Sequence, residues 1–201
     1  MQIARRRLPH WHPDARALFV TWHLYGSLPK ARYPPPGHLS AGQSFVWMDR
    51  YLDTATTGPM WLRQPNIADL VSAHIRKGAE EQVYELHAWV VMPNHVHILI
   101  RPYIKPSEAL RRVKGRSARD ANLALCRTGG SFWQSESYDH WVRNDDEMAR
   151  IARYIENNPV KAGLVRMAAE WPWSSAHYRC QEGTSAKTLA HPTAGRLPEK
   201  P

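Results

Sequence analysis

The chain has 201 residues and a formal net charge of +9, with 27 Lys and Arg against 18 Asp and Glu. That length supports one domain with a full hydrophobic core, and the basic balance, with a pI near 9.8, favours a polyanionic partner. No apolar run reaches the roughly 18 residues of a membrane span, and Cys126 and Cys180 form neither a metal spacing nor a disulfide framework.

In chain order, residues 1–15 carry Arg5-Arg6-Arg7 without apolar periodicity. They read as a basic arm, and no signal-type apolar segment follows the arginines. Ala17 to His23 reads as a strand, and Gly26 to Gly42, with Pro34-Pro35-Pro36, as a loop. Phe45, Met48 and Leu52 recur at helical spacing and predict a short helix over about 44–55. Ile67, Leu70, Val71 and Ile75 predict an amphipathic helix with Asn66 as its N-cap. Strands are expected over 84–92 and 95–101, turning at Met92-Pro93-Asn94. Pro106-Ser107 opens a helix to about Leu125 that is rich in Arg and Lys: Arg111, Arg112, Lys114, Arg116 and Arg119 outnumber Glu108 and Asp120. After Gly129-Gly130, an aromatic segment over 132–142 ends in a strand. Asn144 or Asp145 caps a last helix with Met148, Ile151, Ala152 and Ile155 as its apolar stripe, and Pro159 is expected to stop it. From about 179 the chain reads as a disordered tail. The order is an α+β, ferredoxin-like βαββαβ plan with an extra C-terminal helix. Two helices should cover one face of an antiparallel sheet, and the other face should hold the histidines.

Chemistry concentrates in two places. In Trp89-Val-Val-Met-Pro-Asn-His-Val-His-Ile-Leu-Ile100, strand alternation sends His95 and His97 to one face and Val96 to the other. Two adjacent imidazoles can bind one divalent ion; the bland reading is a pair of satisfied sheet histidines. A histidine-triad nucleotide hydrolase would need a third histidine where Leu99 stands. In the last helix, Tyr154 and Asn158 are four apart and share a face at the edge of the apolar stripe. A tyrosine beside a metal can attack a phosphodiester while the ion polarises a non-bridging oxygen, and the Asn158 amide oxygen could complete the metal shell.

Together with Tyr154-Ile-Glu-Asn-Asn-Pro-Val-Lys-Ala-Gly-Leu-Val165 and Trp171-Pro-Trp-Ser-Ser175, these motifs resemble the REP-associated tyrosine transposases, in the single-tyrosine branch of the HUH endonucleases. His95-Val96-His97 is the His–apolar–His signature. The resemblance runs over residues 16–178, which are read as the transposase domain. It implies that His95 and His97 bind Mg²⁺ or Mn²⁺ with Asn158 as third ligand, where related insertion-sequence enzymes often carry Gln. It also implies that Tyr154 attacks single-stranded, hairpin-bearing DNA. A covalent 5′-phosphotyrosine forms, a 3′-OH is freed, and reversal rejoins DNA without ATP. The expected partner is single-stranded or hairpin DNA and not a membrane. The expected assembly is a monomer or homodimer, and the expected place a reducing cytoplasm, at the nucleoid.

Other readings compete at individual residues. Tyr138, in Tyr138-Asp139-His140, is a rival nucleophile, and His140 and Gln134 could line the groove. Arg5, Arg6 and Arg7, with Arg111, Arg112, Lys114, Arg116 and Arg119, are candidate phosphate contacts; each alone is equally an ordinary solvated charge. Trp22 and Trp89 read as core, whereas Trp133, Trp141, Trp171 and Trp173 could stack bases or pack the C-terminal segment. A domesticated DNA-binding relative without cleavage is the main alternative function. A small-substrate phosphodiesterase is the third, and would not need the basic helix.

Overall fold

The computed structural model describes residues 16–28 and 39–188, with no side-chain description at 41 or 182–188. The arginine run at 5–7 lies outside the described residues, as does most of the proline-rich loop. Four strands, β1 (Leu18–His23), β2 (Tyr84–Val91), β3 (His95–Pro102) and β4 (Tyr138–Trp141), form one antiparallel sheet in the order β2-β3-β1-β4. This is the ferredoxin-like arrangement, with β1 and β3 at the centre.

Strand alternation divides the core in two. Leu18, Val20 and Trp22 of β1 and Val96, Ile98 and Ile100 of β3 face α2 (Pro65–Glu80) and α3 (Pro106–Ala124). Phe19 and Leu99 face the other way, against α4 (Asp145–Lys161) and the Phe45 ring of α1 (Ala41–Asp53). In β2 a register shift between Leu86 and Ala88 places a bulge at His87. The bulge changes which residues face which layer: Tyr84 and Leu86 precede it toward α2, and Trp89 and Val91 follow it there. Fully buried Leu, Ile and Val side chains of this kind each contribute about 1.5–3 kcal/mol. The histidine face is therefore not open: α1 and α4 close over it, making a three-layer domain.

Local chemistry explains most of the element bounds. Ser40 caps α1 through a capping box with Gln43 (3.3 and 2.9 Å), which starts the helix earlier than its apolar spacing suggests. The second helix begins two residues before the expected start: Gln64, not Asn66, is the cap residue and Pro65 takes N1, where its missing N–H costs nothing. Asn144 caps α4 by accepting from Glu147 N at 2.9 Å, and Asp145, Asp146 and Glu147 complement the helix dipole.

Pro159 does not end α4. It removes one backbone donor, but Ala162 N bonds to Asn158 O and Leu164 N to Pro159 O, both at 2.9 Å, and these carry the helix to Lys161. Gly163, at φ +70°, then ends it. Past Trp171, the chain runs beside β2, with Val91 N donating to Trp173 O at 2.8 Å. A fifth helix, α5 (Ser175–Thr188), continues into the stretch expected to be a tail. Residues 189–201 lie outside the described residues.

Candidate active site

His95 and His97 are fully buried on the α1/α4 face of the sheet. Their outer nitrogens are held by neighbours. Asn94 Nδ2 donates to Leu52 O at 3.0 Å, so its Oδ1 is left to accept from His95 Nδ1 at 2.7 Å. Thr21, directly opposite His97 in the β1/β3 register, holds His97 Nδ1 at 2.7 Å. Such outer partners fix imidazole orientation around a metal. The Nε2 atoms consequently converge, 3.0 Å apart. Phe19 stacks on His97 (ring centroids 5.8 Å) and gives the pair an apolar wall.

The third group at this point is Asp49 of α1, 2 % exposed. Its Oδ1 lies 3.1 Å from His97 Nε2 and 3.9 Å from His95 Nε2. Asp49, His95 and His97 form a cluster whose ligand atoms all lie within 4.8 Å of one another. Sequence reasoning missed Asp49. Its signal was available: four residues after Phe45 and three before Leu52, it is an acid inside an apolar helical stripe.

Tyr154 and Asn158 arrive from α4. Tyr154 Oη donates to Asp49 Oδ2, and the Tyr154 ring lies 5.8 Å from the His97 ring. Asn158 is fully buried, with Nδ2 3.3 Å from His97 Nε2 and Oδ1 without a hydrogen-bond partner. Continuation of α4 past Pro159 sets Lys161 Nζ 3.2 Å from Asp49 Oδ2, 3.1 Å from Asp53 Oδ2 and 5.4 Å over the Tyr154 ring.

The electrostatics follow from burial and these partners. Burial pushes the Asp49 carboxyl up, but the His97 contact, both imidazoles and the Tyr154 hydroxyl hold it well below the usual carboxylate range. Burial, then the Asp49 charge, pushes the Tyr154 phenol far up. Burial and the neighbouring His97 hold His95 well down, so it is neutral near pH 7. Burial and Asp49 raise Asp53. Lys161 is raised: the two carboxylates outweigh its own desolvation.

The donor set fits a divalent ion. Two nitrogens about 2.1 Å from one ion, at right angles, lie about 3 Å apart, and the His95–His97 spacing matches that. Asp49 adds a hard carboxylate oxygen, which suits Mg²⁺ or Mn²⁺ better than imidazoles alone. The unpartnered Asn158 Oδ1 is a buried acceptor that needs a donor or an ion.

The other candidates sort differently. Tyr138 stacks on Phe45 (4.5 Å) in β4, and burial raises its phenol. His140 pairs with Glu147 at 3.2 Å. Gln134 is tied through its backbone to His23 O (2.9 Å). Trp22 and Trp89 are core. Trp133 is buried and donates to Ser117 Oγ, Trp171 donates to Val91 O, and Trp173 to Asp69, so packing accounts for all three. Of the basic residues, Arg112 pairs with Glu108 (2.5 Å) and Arg116 with Glu81 (2.6 Å), Lys114 holds two backbone carbonyls, and Arg111 and Arg119 are exposed.

Fold and site together define a ferredoxin-like domain in which a buried histidine pair on the central strand meets a tyrosine-bearing helix. Residues 45–158 match the family described as Transposase IS200 like, and the chain belongs to that family. It is 29% identical over 109 residues to a REP-associated tyrosine transposase of Escherichia coli strain K12, a match covering 51% of this chain and 61% of that one. A relative from Haemophilus influenzae is 28% identical over 114 residues, covering 51% of this chain and 64% of that one. The chain thus spans less than two thirds of the relatives' length. Among solved structures it is similar to a REP-associated tyrosine transposase bound to a REP hairpin (TM-score 0.57, 20% identity, covering 100% of this chain and 95% of that one), a likeness of fold.

Proposed function

We propose that this chain is a DNA transposase that cleaves and rejoins single-stranded, hairpin-bearing DNA through Tyr154. The observation that carries the reading is the shared carboxylate: Asp49 accepts the Tyr154 hydroxyl on one oxygen and faces His97 Nε2 with the other. Nucleophile and metal donors are thereby held within one hydrogen-bonded cluster, as phosphoryl transfer by positioning requires.

His95, His97 and Asp49 would hold the ion, with Asn158 as a fourth donor. A bound Mg²⁺ or Mn²⁺ supplies Lewis-acid polarisation of a non-bridging phosphate oxygen. Tyr154 Oη attacks the phosphorus, its proton passing toward Asp49 Oδ2. The new O–P bond forms as the P–O3′ bond breaks, leaving a 5′-phosphotyrosine and a 3′-oxyanion that takes a proton from water to become the free 3′-OH. Lys161, beside Asp49 and over the Tyr154 ring, supplies positive charge where the phenolate develops. Attack by a second 3′-OH reverses the step and rejoins DNA with no external energy source. Because α4 packs on its own chain's sheet, one chain supplies every group, and we infer a site complete in the monomer.

The test is cleavage of a hairpin-bearing single-stranded oligonucleotide with Mn²⁺. His97→Ala should abolish cleavage while leaving DNA affinity close to wild type. Loss of both, with the fold intact by circular dichroism, would contradict a catalytic role for the pair.

A further inference from the structure

A second recess lies away from the histidines. α3 and the segment 130–137 line an open recess of about 700 Å³, within the size range of ligand sites. A smaller cavity of about 200 Å³ opens beside Thr21, His23 and Asp49, and Ser137 borders both. The two recesses thus share Ser137, and the smaller one reaches Asp49, the carboxylate that accepts the Tyr154 hydroxyl.

The lining of the larger recess suits phosphate. Arg111 and Lys114 enter it from α3, and Ser131, Ser135 and Ser137 supply hydroxyls from the facing segment. Glu108, the acid in the lining, is paired with Arg112 at 2.5 Å. Among the described residues Arg111 forms no ion pair, and it is exposed. Lys114 donates to the carbonyls of Gln134 and Ser135 at 3.0 and 3.4 Å and so fixes the wall.

Gly115 also lines the recess. It sits in the middle of α3, where glycine is a poor helix residue, yet a Cβ there would meet no protein atom within 4 Å. Packing does not require this glycine, and a larger side chain there would project into the recess. Phe132 and Trp133, at 2% and 7% exposed, are too enclosed to stack a base. A phosphate backbone fits this recess better than a stacked nucleobase.

We propose that this groove binds the sugar–phosphate backbone of single-stranded DNA flanking the cleavage point, and that the strand reaches Tyr154 past Ser137. The proposal rests on the reading of the chain as a single-strand DNA transposase.

The test uses the full chain in EDTA and a fluorescein-labelled oligothymidylate of about ten nucleotides, read by anisotropy over a salt series. Arg111→Ala should weaken binding by about threefold to tenfold and flatten the log–log salt slope by about 0.7, the value for one phosphate contact on a single strand. Gly115→Leu, which fills the groove, should weaken binding by about tenfold with a Tm no lower than wild type. If Gly115→Leu lowers the Tm, Arg111→Glu decides the matter alone, with a loss greater than that of Arg111→Ala. Affinity within about twofold of wild type and an unchanged salt slope would overturn the proposal. Covalent attachment through Tyr154 is measured separately, with the wild-type chain, Mn²⁺ and a hairpin-bearing single strand. Unchanged affinity in the variants while the wild-type chain attaches to that strand would sink the groove alone, whereas absence of attachment in the wild-type chain would sink the transposase reading.

Discussion

Asp49→Asn separates the metal site from the histidine pair and carries a magnitude that can be worked through. The carboxylate is 2% exposed, and its Oδ1 lies 3.1 Å from His97 Nε2, at the point where both imidazoles converge. Asn keeps the shape and removes the charge. Perturbing groups that support a metal costs about 10–100-fold in affinity, and removing a charged donor belongs at the upper end. At a Mn²⁺ concentration of about 100 times the wild-type Kd, ligand linkage stabilises the native chain by about 2.7 kcal/mol; a Kd raised 100-fold leaves about 0.4 kcal/mol. Thermal unfolding with and without Mn²⁺ should therefore show a clear Tm rise for wild type and almost none for Asp49→Asn. In EDTA the variant should also be less stable near neutral pH by about 1–3 kcal/mol, having lost a charged hydrogen-bond acceptor. An unchanged metal-induced shift in Asp49→Asn would refute Asp49 as a donor.

Two further outcomes rest on other parts of the structure. Burial holds His95 below its ordinary pKa of 6.5, so the folded chain binds fewer protons than the unfolded one below that pH, and stability falls on acidification. Each such histidine contributes a slope of about 1.4 kcal/mol per pH unit. His23 and His87 are held down in the same way, so His95→Gln should reduce the slope of metal-free stability between pH 6.5 and 5 without abolishing it; an unaltered slope would contradict the account. Gly78→Ala tests the α2/β2 packing: a Cβ there would overlap the Tyr84 phenol, which donates to Ile75 O at 2.6 Å. Despite better helix propensity, chemical denaturation should show a loss of about 2 kcal/mol.

The sheet and the histidine pair were legible because strand alternation is local: His95 and His97 must share a face whatever surrounds them. That Tyr154 and Asn158 share one face of α4 was legible in the same way, from helical spacing. Asp49 was not, because its role depends on α1 closing over the sheet, a contact between residues 46 and 48 positions apart in the chain. Its position within the Phe45/Met48/Leu52 stripe was the only local sign. Pro159 misled because the rule for proline describes the bond it removes, whereas Ala162 N and Leu164 N hold the turn that follows. Lys161 reaches Asp49 as a consequence. The extent of α5 was not legible because the helix has almost no apolar periodicity to read. The phosphate-suited groove arises where segment 130–137 folds back along α3, and no periodicity encodes that.

The most direct measurement is mapping of the covalent link. Wild-type chain, incubated with Mn²⁺ and a 3′-labelled, hairpin-bearing single strand, is denatured and digested, and the nucleotide-bearing peptide is sequenced by mass spectrometry. The account expects one adduct, on Tyr154, dependent on Mn²⁺ and absent in Tyr154→Phe. An adduct on Tyr138, or one that persists in Tyr154→Phe, would contradict it.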